Sequence, residues 1–194
     1  QYEFFNTPKD VPFEGRIYRI FHRGHHGEDW MAEWLRMAGF VLRTVGVDGR
    51  QFGFSTGKGR IRGHCDGVFV GGPEEQGPYP RLWECKVLGS KGWNKLDKQG
   101  LEKAYPEYFA QVQLYMAYLN LSENPTLFTA MNADTMEVYD ESVPFEPGRA
   151  QELSDRAVTV IRACEAGELL PRCAADEDCF SCRFCAYRTR CWHV

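Results

Sequence analysis

The sequence predicts an α+β domain built on a mixed sheet, with a small C-terminal metal-binding module. Three observations carry this expectation. Short alternating apolar and polar runs with Gly and Pro between them fall between residues 40 and 88 and read as strands. Longer runs with apolar residues three or four positions apart bracket them and read as helices. Of the eight cysteines, Cys173, Cys179, Cys182, Cys185 and Cys191 crowd the end of the chain. Such spacing suits metal binding in a reducing compartment better than a secreted disulfide framework.

In chain order, GHHGEDWMAEWLRMA (24–38) is an amphipathic helix ending at Gly39. FVLRTV (40–45) and QFGFS (51–55) are strands around GVDGR, and IRGHCDGVFV (61–70) is a third strand. After the turn-rich GGPEEQGPYP, a strand over 81–88 runs into a loop within RLWECKVLGSKGW. The punctuation points to an antiparallel meander. Residues 106–121 form a helix with Pro106 in its first turn, where proline is tolerated. PTLFTAMN and MEVYDESV are two strands joined through NADT, 148–166 is another helix, and the cysteine-rich tail from Pro171 is loop. The expected division is a core over 1–168 and a cysteine module over 169–194 packed on it.

Composition narrows the function classes. At 43% apolar residues the chain can build a core, which argues against wholesale disorder. A formal net charge of −4 argues against a generic polyanion-coating protein, while a local basic patch can still bind nucleic acid. There is no apolar run of about 18 residues of the kind a membrane-spanning helix needs. No secretory pattern is visible, so a cytoplasmic location is expected.

On the strand over 81–88, alternation places Glu84 and Lys86 on one face and Trp83, Cys85 and Val87 on the other. On the preceding strand His64 and Asp66 share a face and Cys65 takes the opposite one. If the two strands pair, Asp66 lies across from Glu84. Two carboxylates and a lysine suit a hard divalent cation and an activated water. A cross-strand salt bridge on a solvated face would read the same way in so short a pattern. On the first helix Glu28 falls within the stripe of Gly24, Met31, Leu35 and Ala38, where a carboxylate needs a partner. His25 is close to it in angle, whereas His22 and His26 face outward. On PEYFAQVQLYMAYLNL, Gln111 and Tyr115 are neighbours one turn apart, with Tyr108 beside them and Gln113 roughly opposite. Gln111 is either a satisfied core amide or a site residue.

Cations cluster around these positions. Lys91, Lys95 and Lys98 follow the strand, with Trp93 among them, and Arg60 and Arg62 precede Asp66. Cations interleaved with an aromatic suit a groove that tracks phosphates and stacks bases, although a solvated lysine face has the same composition. Cys65, Cys85 and Cys164 read as small buried apolar residues, the first two on the sheet face away from the site.

The set Arg23-Gly24-x-x-x-Glu28, Asp66, Glu84-x-Lys86 and Gln111-x-x-x-Tyr115 resembles the PD-(D/E)XK nuclease superfamily. It is most similar to the phage-type recombination exonucleases and the RecB-like nucleases. The naming proline is absent, with HCD in its place. The resemblance implies a restriction-endonuclease-like core and an exonuclease acting on DNA, in phage or mobile-element recombination, repair or DNA processing. It implies that Asp66, Glu84 and the Cys85 carbonyl bind Mg²⁺ or Mn²⁺. Glu28 would help directly or through a water, with His25 as an alternative. Lys86 would position or activate the nucleophilic water, and Gln111 and Tyr115 would support the lysine or contact DNA. A recombinase, a single-strand-binding protein or a helicase would be a partner, in the host cytoplasm if the gene is phage-borne. The Cys182-x2-Cys185-x5-Cys191 pattern resembles the tail of the iron–sulfur nucleases, including the CRISPR-associated exonucleases. Those carry a fourth cysteine ahead of the nuclease motifs. This chain has none before Cys65, so Cys173, Cys179 or else His193 completes the set. A [4Fe–4S] cluster or Zn²⁺ fits such thiolates. Two other function classes stay open: a non-catalytic nucleic-acid-binding module with a structural zinc tail, and an iron–sulfur redox protein on the same fold.

Overall fold

The computed structural model of the chain describes residues 1–9, 14–183 and 185–193. These form two compact units, one over Ile20–Ser154 and one combining Gln1–Arg19 with Asp155–Val194. The elements run α1 (Gly15–Met37), β1 (Val41–Arg43), β2 (Gly53–Thr56), β3 (Ile61–His64), β4 (Gly67–Gly71), β5 (Arg81–Leu88), α2 (Ser90–Ala104), α3 (Pro106–Tyr118), β6 (Thr126–Asn132), β7 (Val138–Val143) and α4 (Pro147–Glu165). Two short helices, α5 (Phe180–Arg183) and α6 (Arg188–His193), interrupt the tail expected to be loop. Among the described residues no helix is long and apolar enough to cross a membrane.

The strands of the Ile20–Ser154 unit order as β1-β4-β5-β6-β7, with β2 and β3 in a separate two-stranded sheet. β5 and β6 run parallel, and the other neighbours are antiparallel. The sheet is therefore mixed, as the fold class requires, and the simple meander is corrected. A parallel pair needs a long crossover, and α2 with α3 supply it. The strand expected over 61–70 is two strands, because the chain leaves one sheet after His64 and joins the other at Gly67. The loop expected after β5 is helix α2. Its apolar positions Trp93, Leu96, Leu101 and Ala104 are buried. They slip in phase because Gly100 (φ +72°) breaks the helix, where Glu141 Oε2 accepts from Leu101 N–H at 2.8 Å.

Each face of the sheet carries its own core. α2 and α3 cover one face, packing Leu96, Leu101, Val112 and Met116 on Leu82, Phe128 and Ala130. On the other face, Met31 and Ala32 of α1 pack with Trp83, Cys85, Leu127 and Met131. α1 starts well before residue 24, since nothing in RIYRIFHR stops a helix. It closes as expected at Gly39 (φ +92°), where Phe40 N–H donates to Leu35 C=O and Gly39 N–H to Arg36 C=O, a left-handed C-terminal cap.

Close contact between α1 and the sheet depends on Gly27. A Cβ there would stand 2.5 Å from Val87 Cγ2 and 2.6 Å from Met131 Cε. Gly27→Ala is expected to lower stability by about 1–3 kcal/mol through overpacking. Gly24→Ala meets nothing within 4 Å and should raise stability by up to about 1 kcal/mol through helix propensity. Urea unfolding of the two variants checks both signs.

Candidate active site

The site forms where β4 has not yet begun and β5 has an open edge. β4 starts at Gly67, opposite Trp83, so beyond Trp83 that edge of β5 lacks a strand partner. The Asp66 side chain takes the missing strand's place: its Oδ2 accepts the Cys85 N–H at 2.7 Å. This satisfies a backbone donor that burial would otherwise penalise. Gly67 permits the turn, because a Cβ there would come within 2.8 Å of the Arg43 carbonyl oxygen and of Leu42 Cδ1.

Alternation on β5 holds as expected. Trp83 and Cys85 pack in the α1-side core, while Glu84 and Lys86 face α2 and α3. Glu84 is 1% exposed, and Lys86 Nζ donates to its Oε1 at 2.5 Å. Its Oε2 is buried without a hydrogen-bond partner. Glu28 reaches the same place from α1 and donates, when protonated, to Asp66. His25 is near enough to favour the charged form of Asp66, while His22 and His26 are exposed and stack edge-on at 4.4 Å.

Three carboxyls here face one ammonium. Burial, then the Asp66 charge, pushes Glu84 up to about 8. The same two causes push Glu28 up to about 7. Burial raises Asp66 too, against the pull of Lys86 and the Cys85 N–H. Burial works against the Lys86 ammonium, but Glu84 and then Asp66 outweigh it and hold its pKa above the usual lysine range. Carboxyls that retain protons, next to a buried oxygen with no partner, fit a site for a divalent cation. Among the described residues no three acidic, His or Cys side chains already stand in a metal-holding group: Lys86 occupies one oxygen of Glu84, and a shared proton ties Glu28 to Asp66.

Gln111 and Tyr115 stand on the α3 side, with Gln111 Nε2 donating to the Tyr115 hydroxyl at 2.8 Å. Burial chiefly raises the Tyr115 phenol, and the charges of Glu84, Lys86 and Asp66 also reach it. Gln113 is a satisfied core amide, with Nε2 donating to Pro144 C=O at 2.9 Å and Oε1 accepting from Glu146 N–H at 2.7 Å. Tyr108, named in sequence only as a neighbour, lies under the Lys86 ammonium at 5.2 Å from the ring centre. The cue was its position three residues before Gln111.

Several expected placements change. Cys65 is on the Glu84 side of the sheet, buried with Leu82 and Phe128. The break after His64 ends the alternation that put it opposite. Burial, then Glu84, pushes its thiol up to about 12. Trp93, expected to stack bases, is 8% exposed and part of the core. Lys91, Lys95 and Lys98 lie on the exposed side of α2, spaced four and three apart on one stripe. The Lys95 ammonium is already engaged, donating to Ala104 C=O and standing 5.0 Å over the Tyr105 ring. Arg60 and Arg62 are exposed on the β2–β3 hairpin. That hairpin rests on α3 through Phe54, stacked on Tyr118 at 4.6 Å and edge-on against Tyr115 at 5.9 Å.

In the other unit the five tail cysteines and Cys164 are free thiols. Cys164 is buried as expected, Cys182 is buried, and Cys173 and Cys185 are exposed. Cys182 N–H donates to Cys179 Sγ at 3.4 Å. Cys179, and more weakly Cys173, raises the Cys182 thiol. His193 is engaged elsewhere, 2.8 Å from Glu177 Oε2.

No family model and no curated protein matches the chain. Among solved structures it superposes on an alkaline exonuclease (LHK-Exo) from Laribacter hongkongensis, with a TM-score of 0.52 and 18% identity over 76% of this chain and 69% of that one. The two share a fold. The α+β, restriction-endonuclease-like core expected from the sequence is the one observed. The structure of SSO0001 also superposes, over 87% of this chain and 68% of that one at 14% identity, but its TM-score of 0.46 is too low to carry an argument.

The crowded carboxyls have a consequence for stability. In metal-free buffer the folded protein keeps protons on Glu84 to about 8 and on Glu28 to about 7, whereas an ordinary glutamate releases its proton near 4.5. The folded state binds more protons across that window, so stability falls as pH rises from about 5 to about 8 and levels off above it. Thermal melts along this series should show the fall, and Glu84→Gln should flatten it.

Proposed function

We propose that the chain is a divalent-metal-dependent deoxyribonuclease that hydrolyses phosphodiesters from DNA ends. The observation that carries this reading is the meeting of Asp66, Glu84 and Lys86 at the open edge of β5, where with Glu28 three carboxyl groups meet one ammonium. The shared fold with an alkaline exonuclease agrees with it. Asp66 and Glu84 would hold Mg²⁺ or Mn²⁺, with Glu28 and the Cys85 carbonyl as further ligands. A bound ion supplies an acidified water and offsets charge on the phosphate.

The side chains do the rest. Lys86 orients the attacking water, since an ammonium kept charged among carboxylates is a donor with a fixed direction. Tyr115, held by Gln111, places a hydroxyl beside that ammonium's surroundings. Lys91 and Lys98 on α2, and Arg60 and Arg62 on the hairpin, offer charge to the DNA backbone without reading bases. Cys182, Cys185 and Cys191, with Cys173 or Cys179, would hold a [4Fe–4S] cluster or Zn²⁺ that staples the tail. The Cys182 N–H already donates to the Cys179 sulfur, which brings these two residues together. Recombination, repair or DNA processing, beside a recombinase, a single-strand-binding protein or a helicase, is the setting we infer.

Wild-type protein incubated with end-labelled linear DNA and Mg²⁺ or Mn²⁺ should degrade it. Asp66→Ala and Lys86→Ala should each lose about 10²- to 10⁴-fold in rate. Equal digestion by the variants would sink the assignment, and DNA binding with no digestion by any protein would favour the binding module. For the tail, anaerobic purification followed by metal analysis and a visible spectrum should find iron with sulfide, or zinc. Cys182→Ser should lose the bound metal and lower the melting temperature.

A further inference from the structure

Lys86 has a second neighbour besides Glu84. Its ammonium stands over the Tyr108 ring, 5.2 Å from the centre. Tyr108 in turn stacks on Tyr105, with ring centres 5.0 Å apart and planes 26° apart. Lys95 in turn stands over the Tyr105 ring, its ammonium 5.0 Å from the ring centre. The result is a ladder of ammonium, ring, ring and ammonium that runs from the site into α2.

The ladder is built into the backbone. Tyr105 is the joint between α2 and α3, with non-helical dihedrals of φ −141° and ψ 71°. Tyr108 follows one turn later on α3, so both rings point the same way. Gly92 makes room for Tyr105: a Cβ there would stand 2.6 Å from the Tyr105 hydroxyl. Lys95 is tied down by the Ala104 carbonyl. The start of α2 is held as well, because Asp134 Oδ2 accepts from Ser90 N–H at 2.8 Å and from Ser90 Oγ at 2.7 Å.

We propose that the stacked pair Tyr108 and Tyr105 positions the Lys86 ammonium by holding it over a ring face when Glu84 turns to a bound cation. This rests on the nuclease reading. The physical reason is that Lys86 now leans on Glu84, and it would lose that partner if Glu84 and Asp66 held a divalent ion, whose charge would repel the ammonium. A long lysine chain freed in this way gains rotamer entropy by swinging to solvent. The face of an aromatic ring is the neighbour whose attraction for a cation survives metal binding. Stacking on Tyr105 fixes the tilt of that face, and Lys95 fixes Tyr105. Tyr108 is thus a positioning residue: it acts through Lys86 and need not touch DNA.

The test compares Tyr108→Phe, which keeps the ring, with Tyr108→Leu, which removes it; Tyr108→Met replaces the latter should it fail to fold. Circular dichroism and melting check the fold of each. Single-turnover digestion of end-labelled DNA should show Tyr108→Phe near wild type. Tyr108→Leu should lose about 3- to 30-fold in kcat, with KM for DNA unchanged. A second readout needs no turnover. In a ¹H–¹³C spectrum the Lys86 methylene signals beside the ammonium, identified by their loss in Lys86→Arg, should be shifted upfield by the ring. That shift should persist with Mg²⁺ in wild type and Tyr108→Phe, and vanish in Tyr108→Leu. The proposal is overturned if Tyr108→Leu keeps both kcat and the shift. It is equally overturned if Tyr108→Phe loses as much kcat as Tyr108→Leu, which would make the hydroxyl the active group. A loss confined to KM would make the ring pair a DNA contact instead. If wild type degrades no DNA, the nuclease reading fails by itself, and the Lys86 signals still decide whether the ring holds the ammonium.

Discussion

A glutamate buried on a central strand is the constraint around which this unit is arranged. Glu84 is 1% exposed, and an unpaired charge in such a place costs several kcal/mol. Lys86 answers it from the same face of β5, two residues on. The pair cannot spread its charge further, because helices pack on both faces of the sheet. Asp66 and Glu28 then add acid to a place already short of cation. Proteins that use charge only for stability balance it. This site leaves carboxyls holding protons and the Glu84 Oε2 without a partner, an unfavourable arrangement for the fold as it stands and the reason a divalent ion is proposed here.

The backbone makes the opening. A full-length β4 would have paired Cys85 and closed the edge of β5. Instead the chain changes sheets at Cys65 and Asp66, and a side chain takes the hydrogen bond a strand would have made. Gly67 lets the turn pass the Arg43 carbonyl oxygen, and Gly27 lets α1 come close enough to deliver Glu28. These are packing requirements of the backbone, and each sets where the adjoining carboxylate, Asp66 or Glu28, stands. A methyl group added at Gly27 would press on Val87 and Met131, and one at Gly67 on Leu42 and the Arg43 carbonyl, so either would disturb the packing beside an acid.

The surroundings follow the same logic. α2 turns Trp93 inward and its lysines outward, and the β2–β3 hairpin, which exposes Arg60 and Arg62, rests on α3 through Phe54. Cationic surface therefore arises from two elements held by apolar contacts. The ring pair at the joint of α2 and α3 connects one of those elements to Lys86, so the residue next to the chemistry and the helix that carries the lysines share one packing unit.

Local pattern was enough for what depends on one element. Alternation placed Glu84 and Lys86 together and apart from Trp83 and Cys85, and helical spacing paired Gln111 with Tyr115 and set Gln113 on the opposite side. Gly39 marked a helix end because a left-handed residue there closes α1. What depends on two elements was decided by the tertiary structure. The switch of sheets after His64 moved Cys65 to the Glu84 side. Gly89, Gly92 and the break at Gly100 hid α2, so Trp93 read as exposed when it packs in the same core as Leu96 and Leu101. Gly27 looked like any glycine until Val87 and Met131 lay against it. Residue type and period are properties of a segment, whereas open edges, close approaches and stacked rings exist only where segments meet.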